Sequence, residues 1–301
     1  MEERFVKQVE LLLRVAPEIS KIEEFALHGG TAINLFYHNM PRLSVDIDLT
    51  YIPVDNRTND LHNISLLLNK LSERLKKTIP AIQIHSKNRG DGEEKLFCRL
   101  NSHEVKIEVN TINRGIIGRA EQHILCNAAQ ERFNTFFEMK LVPIHQLFGG
   151  KMVAALDRQH PRDLFDTMQM LNNIGLTNQI MMGFLFCLFS SKRPFAELLS
   201  PNPVNQANVI ESRFKGMTEV PFNLQLFDFE RERLITTINK KLSETQKKMI
   251  LSVAKGEPVW LYDNWSKFPG IAWKLKNIEI LQKKNPEKFK TQINDLERIL
   301  I

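Results

Sequence analysis

Cysteine is scarce in this sequence of 301 residues, which has three, at positions 98, 126 and 187. Three widely spaced cysteines form neither a disulfide framework nor a zinc cluster, and they are typical of a reducing compartment. Long hydrophobic runs are also missing: the longest is residues 180–189, whereas a membrane-spanning helix needs about 20 apolar residues. The acidic N-terminus lacks the basic and then apolar order of a secretory signal. These absences predict a cytoplasmic protein without a membrane segment.

The charges come close to balance, with 41 Lys and Arg against 35 Asp and Glu, which gives a net charge of +6 at pH 7. A basic surplus favours a polyanionic partner such as RNA, because cationic side chains displace counterions from phosphate groups. Many mildly basic proteins bind no nucleic acid, so the composition leaves both interpretations open. The hydrophobic content of 43% and the charged content of 25% exclude a disordered or a fibrous chain.

The N-terminal half mixes predicted helices and strands. Residues 44–52 have the clearest alternation of apolar and polar side chains, which predicts a strand with one buried and one polar face. Further strands are predicted at residues 25–28, 81–87, 95–101, 105–112 and 135–142, with a turn at 89–92. Apolar residues at helical spacing predict helices at residues 2–16 and 60–77.

Beyond Pro143 the pattern is helical. Helices are predicted at residues 144–157, 161–173, 179–190, 228–254 and 273–301, the last with a break at Asn285-Pro286, and a long loop at 200–222. The sequence therefore predicts an α+β protein, with an α/β domain built on a mixed sheet at residues 1–142 and a mostly helical domain at 143–301. The three tryptophans, all beyond residue 259, are predicted to lie in the core.

Asp46 and Asp48 lie two residues apart in the predicted strand 44–52, where aspartate is otherwise disfavoured. On a strand this spacing puts both carboxylates on one face, with about 7 Å between their Cα atoms. Paired carboxylates at this spacing can hold one or two hard cations, and Mg²⁺ requires oxygen ligands of this kind. Most Asp-x-Asp pairs are solvated loop residues, but a pair inside an alternating strand favours a metal site.

Gly29 and Gly30 follow a predicted strand and precede a helix that Thr31 can cap. Glycines here allow a phosphate to approach the backbone, and the helix N-terminus offers free N–H groups. Arg42 and Ser44, just before the acidic pair, are candidates to contact the same phosphates. The alternatives are that Gly29 and Gly30 form a simple tight turn, that Arg42 is a surface charge and that Ser44 only starts the strand. The order of glycine bend, helix and acidic strand favours a triphosphate site.

Two blocks of the sequence carry a resemblance to a known family. Residues 28–32 (HGGTA) and 42–49 (RLSVDIDL) resemble the first motif of the AbiEii/AbiGii type nucleotidyltransferase toxins, a branch of the DNA polymerase β-like superfamily. Residues 151–155 (KMVAA), Arg158 and residues 162–166 (RDLFD) are similar to the family's later motif, in which a helical lysine precedes an Arg-Asp pair. The resemblance covers most of the chain and implies a polymerase β-like nucleotidyltransferase domain at its N-terminus.

The resemblance implies roles for individual residues. Asp46 and Asp48 would bind Mg²⁺ or Mn²⁺, Lys151 would contact phosphate, and Asp163 would have a catalytic or structuring role. Lys151 lies among apolar residues of a predicted helix, where a positive charge requires a nearby anion. Arg158 is two turns further along and lies on the same side of that helix. The alternatives are that Lys151 extends from a core helix to solvent and that Asp163 is a partner of its own helix dipole.

Sites of the polymerase β-like superfamily usually include a third carboxylate from a neighbouring strand. Glu108 is the candidate here, because it lies on the polar face of the predicted strand 105–112; the alternative is an exposed strand face with ordinary charges. His28 is predicted to pack under the bend without a catalytic role, and Asp166 to form an ion pair. Residues 268–277 are similar to the family's C-terminal helical region.

The resemblance implies a toxin of a toxin–antitoxin or abortive-infection system. Such an enzyme transfers a nucleoside monophosphate from an NTP to an acceptor hydroxyl and releases pyrophosphate. Known members can modify the acceptor end of tRNA, and they are paired with a neighbouring antitoxin protein. Two alternatives stay open: a nucleotidyltransferase that modifies a protein or a small molecule, and a catalytically silent relative that binds RNA or a partner.

Overall fold

The computed structural model describes residues 1–88, 93–263 and 265–300. The turn predicted at residues 89–92 lies outside these described residues. Among the helices of the described ranges, none is long and apolar enough to cross a membrane.

The chain divides into two compact units. The first consists of Met1–Pro143 and Phe214–Pro221, and the second of Ile144–Arg213 and Phe222–Ile301. The seven described strands belong to the first unit, and the described part of the second unit is built from helices. The return of Phe214–Pro221 to the first unit was not predicted, because this segment lies inside the predicted long loop.

The first unit contains the predicted elements and two more. Its helices are α1 (Glu3–Ile19), α2 (Gly29–Ala32), α3 (Arg57–Thr78) and α4 (Asn127–Phe133), and α2 continues into a π-helical turn (Ile33–Tyr37). Its strands are β1 (Phe25–His28), β2 (Asp46–Tyr51), β3 (Gln83–Asn88), β4 (Glu93–Leu100), β5 (His103–Asn110), β6 (Glu121–Ile124) and β7 (Glu138–Leu141). Helix α4 and strand β6 were not predicted, because α4 buries only Ala129 and β6 is mostly polar.

The strands form one mixed sheet in the order β3-β4-β5-β2-β1-β7-β6. The pairs β2–β5 and β1–β7 are parallel, and the other neighbouring pairs are antiparallel. The acidic strand β2 is therefore central, with β1 on one side and β5 on the other. The predicted α+β class with a mixed sheet is confirmed.

Alternation along the central strands decides which face of the sheet is buried. Ile47 and Leu49 on β2 and Ile107 and Val109 on β5 are at most 2% exposed. Each such side chain contributes about 1.5–3 kcal/mol to folding when it leaves water. Helix α1 packs against β5 and α3, so that its apolar stripe adds to the same core. Because side chains alternate along a strand, the polar positions of β2 and β5 point to the opposite face.

The second unit contains nine described α-helices. They are α5 (Ile144–Arg158), α6 (Pro161–Asn173), α7 (Asn178–Phe189), α8 (Phe195–Leu199), α9 (Ala207–Val209), α10 (Leu224–Lys241), α11 (Glu244–Ala254), α12 (Pro269–Lys284) and α13 (Pro286–Leu300). The break predicted at Asn285-Pro286 separates α12 from α13. Helices α5 and α7 approach so closely at Gly149 that an added Cβ would collide with the backbone of Gly183. Glycine at position 149 allows this approach.

Three predictions for this unit are wrong. The long loop predicted at 200–222 contains α9 and a π-helical turn at Ile210–Phe214. Residues 228–254, predicted as one helix, belong to α10 and α11, because Ser243 and Gln246 form a capping box that starts a new helix. Trp273 is 51% exposed on α12 and does not lie in the core, whereas Trp265 is buried.

The ion pair between Asp60 on α3 and Arg114 provides a test of what holds the first unit together. Arg114 Nε lies 2.8 Å from Asp60 Oδ2, and the two side chains are 3% and 1% exposed. We expect Asp60→Asn to lower the free energy of unfolding by about 3–5 kcal/mol, because the arginine is left buried without a counter-charge. Urea denaturation followed by circular dichroism measures the change.

The matched control is Glu73→Gln, also on α3, which removes an exposed ion pair with Lys76. Its effect should stay within about 0.5 kcal/mol, because solvent screens exposed pairs. Equal losses in the two variants would contradict a special contribution of the buried pair.

Candidate active site

The central strands bring five polar side chains to one face of the sheet. Asp46 and Asp48 on β2 are half-buried and alternate with buried Ile47 and Leu49. In the sheet, Asp48 lies opposite His28 of β1 and opposite Glu108 of β5, and Asp46 lies opposite Lys106 of β5. Residues opposite each other in a ladder project from the same face. The five polar side chains are His28, Asp46, Asp48, Lys106 and Glu108.

The bend at Gly29 lies directly against the acidic pair. Gly29 has a φ of +74°, in the left-handed region that glycine adopts at little cost. A Cβ added there would collide with Oδ2 of Asp48. The carboxylate of Asp48 therefore faces the glycine bend, and only glycine fits at that position.

Gly30 lies against the two polar residues that precede the acidic pair. A Cβ added at Gly30 would stand 2.6 Å from Nη2 of Arg42 and 3.0 Å from Oγ of Ser44. Both side chains are buried, with exposures of 1% and 5%, and Arg42 Nη1 donates a hydrogen bond of 2.8 Å to the carbonyl of Leu43. Arg42 is therefore not a surface charge. Its guanidinium reaches the backbone of the bend because position 30 has no side chain.

Thr31 joins the bend to the acidic strand. Its hydroxyl donates to the backbone carbonyl of Asp46 and lies 3.0 Å from the hydroxyl of Ser44. Helix α2 begins at Gly29 with His28 at the N-cap position, so the prediction that Thr31 caps the helix is wrong. Thr31 instead fixes the start of β2 relative to the glycine bend.

Glu108 has lysine partners on the polar face. Lys106 Nζ lies 2.6 Å from Oε2 of Glu108, and Lys95 Nζ from β4 lies 3.4 Å from the same oxygen. Burial alone would lower the pKa of Lys106. The hydrogen bond to Glu108 and the charges of Asp46, Glu108 and Asp48 together have the larger effect, so the pKa of Lys106 lies above its ordinary value. Lys106 is thus a cation held between the carboxylates.

The carboxylates of the polar face fit a hard cation as a pair. Asp46 and Asp48 supply oxygen ligands from one face, which is the donor chemistry that Mg²⁺ prefers. In the described ranges no group of three or more His, Cys, Asp or Glu side chains is arranged to hold a metal ion. Glu108 would have to exchange its lysine partners for a cation, so its role as a third ligand stays a prediction.

A distant segment fixes the backbone at Arg42. Arg42 pairs with Thr218 in an antiparallel bridge, and Leu43 N donates to the carbonyl of Met217 at 2.7 Å. The Thr218 hydroxyl donates to the carbonyl of Pro41 at 2.7 Å. We call Phe214–Pro221 the strap. This contact was not predicted, because it joins positions far apart in the chain and has no local signal.

In the second unit, Lys151 and Arg158 of α5 share the carboxylate of Asp163 on α6. Lys151 Nζ lies 3.0 Å from Asp163 Oδ1 and 3.2 Å from Asp166 Oδ2. Arg158 binds Asp163 with two nitrogens, at 2.6 and 3.0 Å. Burial raises the pKa of Asp163, but the charges of Lys151 and Arg158 outweigh it and hold that pKa well below its ordinary value. The ion pair predicted for Asp166 is confirmed, while phosphate contact by Lys151 stays a prediction.

The fold and the polar face together define a class. A mixed sheet whose central strand carries two aspartates beside a glycine bend is the arrangement of a nucleotidyltransferase. The model of the family described as nucleotidyl transferase AbiEii toxin, type IV toxin–antitoxin system, matches residues 10–260. The chain therefore belongs to the AbiEii family of nucleotidyltransferase toxins. Membership implies an NTP substrate and an antitoxin partner, and the predicted family and enzyme class are confirmed.

A solved structure supports the fold. The chain is similar to MenT4, a nucleotidyltransferase toxin from Mycobacterium tuberculosis H37Rv, with a TM-score of 0.58 and 10% sequence identity. The similarity covers 92% of this chain and 93% of MenT4. At this identity the likeness concerns the fold alone. No curated protein matches the sequence.

Gly29→Ala tests the contact between the bend and the acidic pair. The new Cβ would displace the Asp48 carboxylate, so we expect nucleotidyl transfer to fall at least ~100-fold, the loss typical of a misplaced catalytic group. Pyrophosphate release measures the activity. Gly175→Ala is the matched control: its φ is +75°, but nothing lies within 4 Å of the added Cβ. It should carry a similar backbone strain and keep full activity; equal activity in both variants would contradict the assigned contact.

Lys151→Met tests the buried cluster. We expect the free energy of unfolding to fall by about 3–5 kcal/mol, because Asp163 and Asp166 lose a buried counter-charge. Lys255→Gln, which removes the exposed pair with Glu297, should change it by less than about 1 kcal/mol. Urea denaturation measures both.

The same cluster predicts a pH dependence. The folded-state pKa of Asp163 is depressed, so its contribution to stability is present above the unfolded pKa of about 3.9 and is lost as the pH falls towards the folded value. In Lys151→Met the folded pKa of Asp163 should rise towards the unfolded value, so the loss should be smaller and should be complete at a higher pH than in the wild type. Unchanged acid denaturation would contradict the coupling.

Proposed function

We propose that this toxin transfers a nucleoside monophosphate from an NTP to the terminal hydroxyl of tRNA in the cytoplasm and releases pyrophosphate. The observation that carries the proposal is the approach of the Asp48 carboxylate to the backbone bend at Gly29. This contact places the Asp48 carboxylate, a ligand suited to a hard cation, next to the backbone of two glycines, which have no side chains. A triphosphate with its counter-ion needs both features in one place. The net charge of +6 supports an RNA acceptor.

The bend and its neighbours would hold the phosphates. Gly29 and Gly30 offer a backbone that phosphate oxygens can approach, and Thr31 and Ser44 add hydroxyl groups beside it. Arg42 is buried against Gly30, so its positive charge acts through a medium of low dielectric and attracts phosphate more strongly than a solvated arginine would.

Asp46 and Asp48 would hold Mg²⁺ or Mn²⁺. When bound, the metal supplies activation of the acceptor oxygen and neutralisation of the triphosphate and its leaving group. Glu108 is proposed as a further carboxylate of this site, in exchange for its ion pairs with Lys95 and Lys106. Lys106, which stands opposite Asp46 in the sheet, places a positive charge beside these carboxylates.

The transfer step replaces the phosphoanhydride bond between the α- and β-phosphates with a phosphodiester bond to the acceptor. The acceptor oxygen bonds to the α-phosphorus, the bond from that phosphorus to the bridging oxygen breaks, and pyrophosphate leaves with the electron pair. The acceptor hydroxyl loses its proton to solvent. The contribution of this chain is positional and electrostatic: the bend and Arg42 orient the triphosphate, and the aspartates on β2 define where the reacting phosphorus lies.

The helical part of the chain, predicted as residues 143–301, is proposed to contribute Lys151 and Asp163 to activity. Asp163 holds both Lys151 and Arg158, so it acts as a positioning residue for two cations. Arg158 is the more exposed partner, with 61% of its side chain accessible, so phosphate can approach its guanidinium from solvent while the ion pair with Asp163 persists. The ammonium group of Lys151 has three N–H donors, and Asp163 and Asp166 engage two of them. Lys151 would contact phosphate through the third.

The test is expression of the wild type, Asp48→Asn and Asp295→Asn in cells, followed by sequencing of RNA 3′ ends. Asp48→Asn keeps the shape of the side chain and removes its charge, so we expect added nucleotides to fall at least ~100-fold and toxicity to be lost. Asp295 on α13 has 46% of its side chain accessible and pairs only with Arg298 of the same helix among the ion pairs of the described residues, so Asp295→Asn should behave like the wild type.

Incubation of the purified protein with labelled NTPs and total tRNA identifies the acceptor. Label on tRNA with wild type and not with Asp48→Asn supports the proposal. Label on a protein or a small molecule, with unlabelled RNA, would replace tRNA by the other class of acceptor. Toxicity that survives Asp48→Asn would identify a catalytically silent relative.

A further inference from the structure

Helix α12 (Pro269–Lys284) has one buried and one exposed face. Its buried side chains include Ile271 and Ile278. The opposite side carries Trp273, which is 51% exposed, and Ile280, which is 40% exposed. At about 100° per residue, Trp273 and Ile280 point in nearly the same direction. Trp273 and Ile280 therefore form a short apolar strip on the surface of α12.

Lysines share this face. Asn277 and Lys284 lie within about 40° of the direction of Trp273, and Lys276 and Lys283 follow one edge of the same stripe. All four are exposed. We call these residues the α12 face; it comprises Trp273, Lys276, Asn277, Ile280, Lys283 and Lys284.

The α12 face lies in a basic stretch of the chain. Seven lysines and two glutamates occur between residues 267 and 290, a surplus of five positive charges in a protein whose net charge is +6. One of the lysines, Lys274, is buried and donates to the carbonyl of Arg193. Lys283 pairs with Glu279 at 2.5 Å. The remaining lysines of the face, Lys276 and Lys284, present their charge to solvent.

This combination suits RNA better than a protein partner. Protein interfaces need about 800 Å² from each partner and are depleted in lysine at their centre. Here the apolar part is two side chains, Trp273 and Ile280, about 10 Å apart along the helix, with Lys276 between them. An aromatic ring flanked by lysines is the arrangement with which proteins bind unpaired nucleotides: the ring stacks on a base and the cations neutralise phosphates.

We propose that the α12 face is a docking surface for RNA, on which Trp273 stacks on an unpaired base and Lys276 and Lys284 contact phosphates. The proposal deepens the proposed function and rests on it, in that RNA is the acceptor. It assigns RNA binding to residues that take no part in binding the nucleotide or the metal.

The test measures binding of fluorescein-labelled tRNA by anisotropy at several KCl concentrations. We expect Trp273→Ala to raise Kd about 5–10-fold at every salt concentration, and Trp273→Tyr to stay within about twofold of the wild type, because tyrosine also stacks. The double variant Lys276→Gln/Lys284→Gln should lower the slope of log Kd against log salt by about 1–2, because two phosphate contacts are lost.

The matched control is Lys70→Gln/Lys77→Gln, which removes two exposed lysines of α3 in the first unit. It should leave the slope unchanged. Wild-type binding by Trp273→Ala and by the α12 double variant would overturn the proposal, as would a slope that falls equally in the control. Loss of binding to the antitoxin with unchanged binding to tRNA would also overturn it and identify a protein partner.

Failure of this proposal and failure of the proposed function give different results. Asp48→Asn should bind tRNA with the wild-type Kd while it transfers no nucleotide. A wild type that docks tRNA through Trp273 but adds nothing to it would refute the proposed function and support the docking surface. Transfer to tRNA that is unaffected by every α12 variant, with unaffected Kd, would refute the docking surface alone.

Discussion

The approach of the Asp48 carboxylate to the backbone at Gly29 is the contact on which the rest of the site depends. It requires a left-handed residue without a Cβ at the end of β1, and the register that puts His28 opposite Asp48. A slip of one residue along β2 would turn both aspartates to the apolar face. Burial of Ile47 and Leu49 opposes that slip, so the hydrophobic core holds the acidic pair against the bend.

Local patterns were sufficient to predict the elements that carry the site. The alternation around Asp46 and Asp48 predicted β2 because one face of that strand is buried and the other is not. The glycine pair predicted the bend, and the spacing of apolar residues predicted α5 and α6. Each of these signals lies within one turn or a few strand positions of the residues that it concerns. The family resemblance then joined them into one enzyme class.

Contacts between distant segments had no such signal. The lysine partners of Glu108 depend on the register of β4 and β5, which a single strand does not encode. The burial of Arg42 depends on packing against Gly30, and an isolated arginine before a strand is ordinarily exposed. The division of the long predicted helix at Ser243 did have a local signal, the capping box with Gln246, which outweighs the helical periodicity on both sides.

The strap has a consequence for synthesis of the toxin. The first unit is not contiguous in the chain, because residues 144–213 separate Met1–Pro143 from Phe214–Pro221. The ribosome must therefore translate that entire helical stretch before Met217 and Thr218 exist to pair with Leu43 and Arg42. A nascent or truncated polypeptide that ends before the strap contains the acidic strand but lacks the segment that holds the backbone of Arg42. The proposed phosphate-binding part of the site can therefore form fully only after residue 218 has been synthesised.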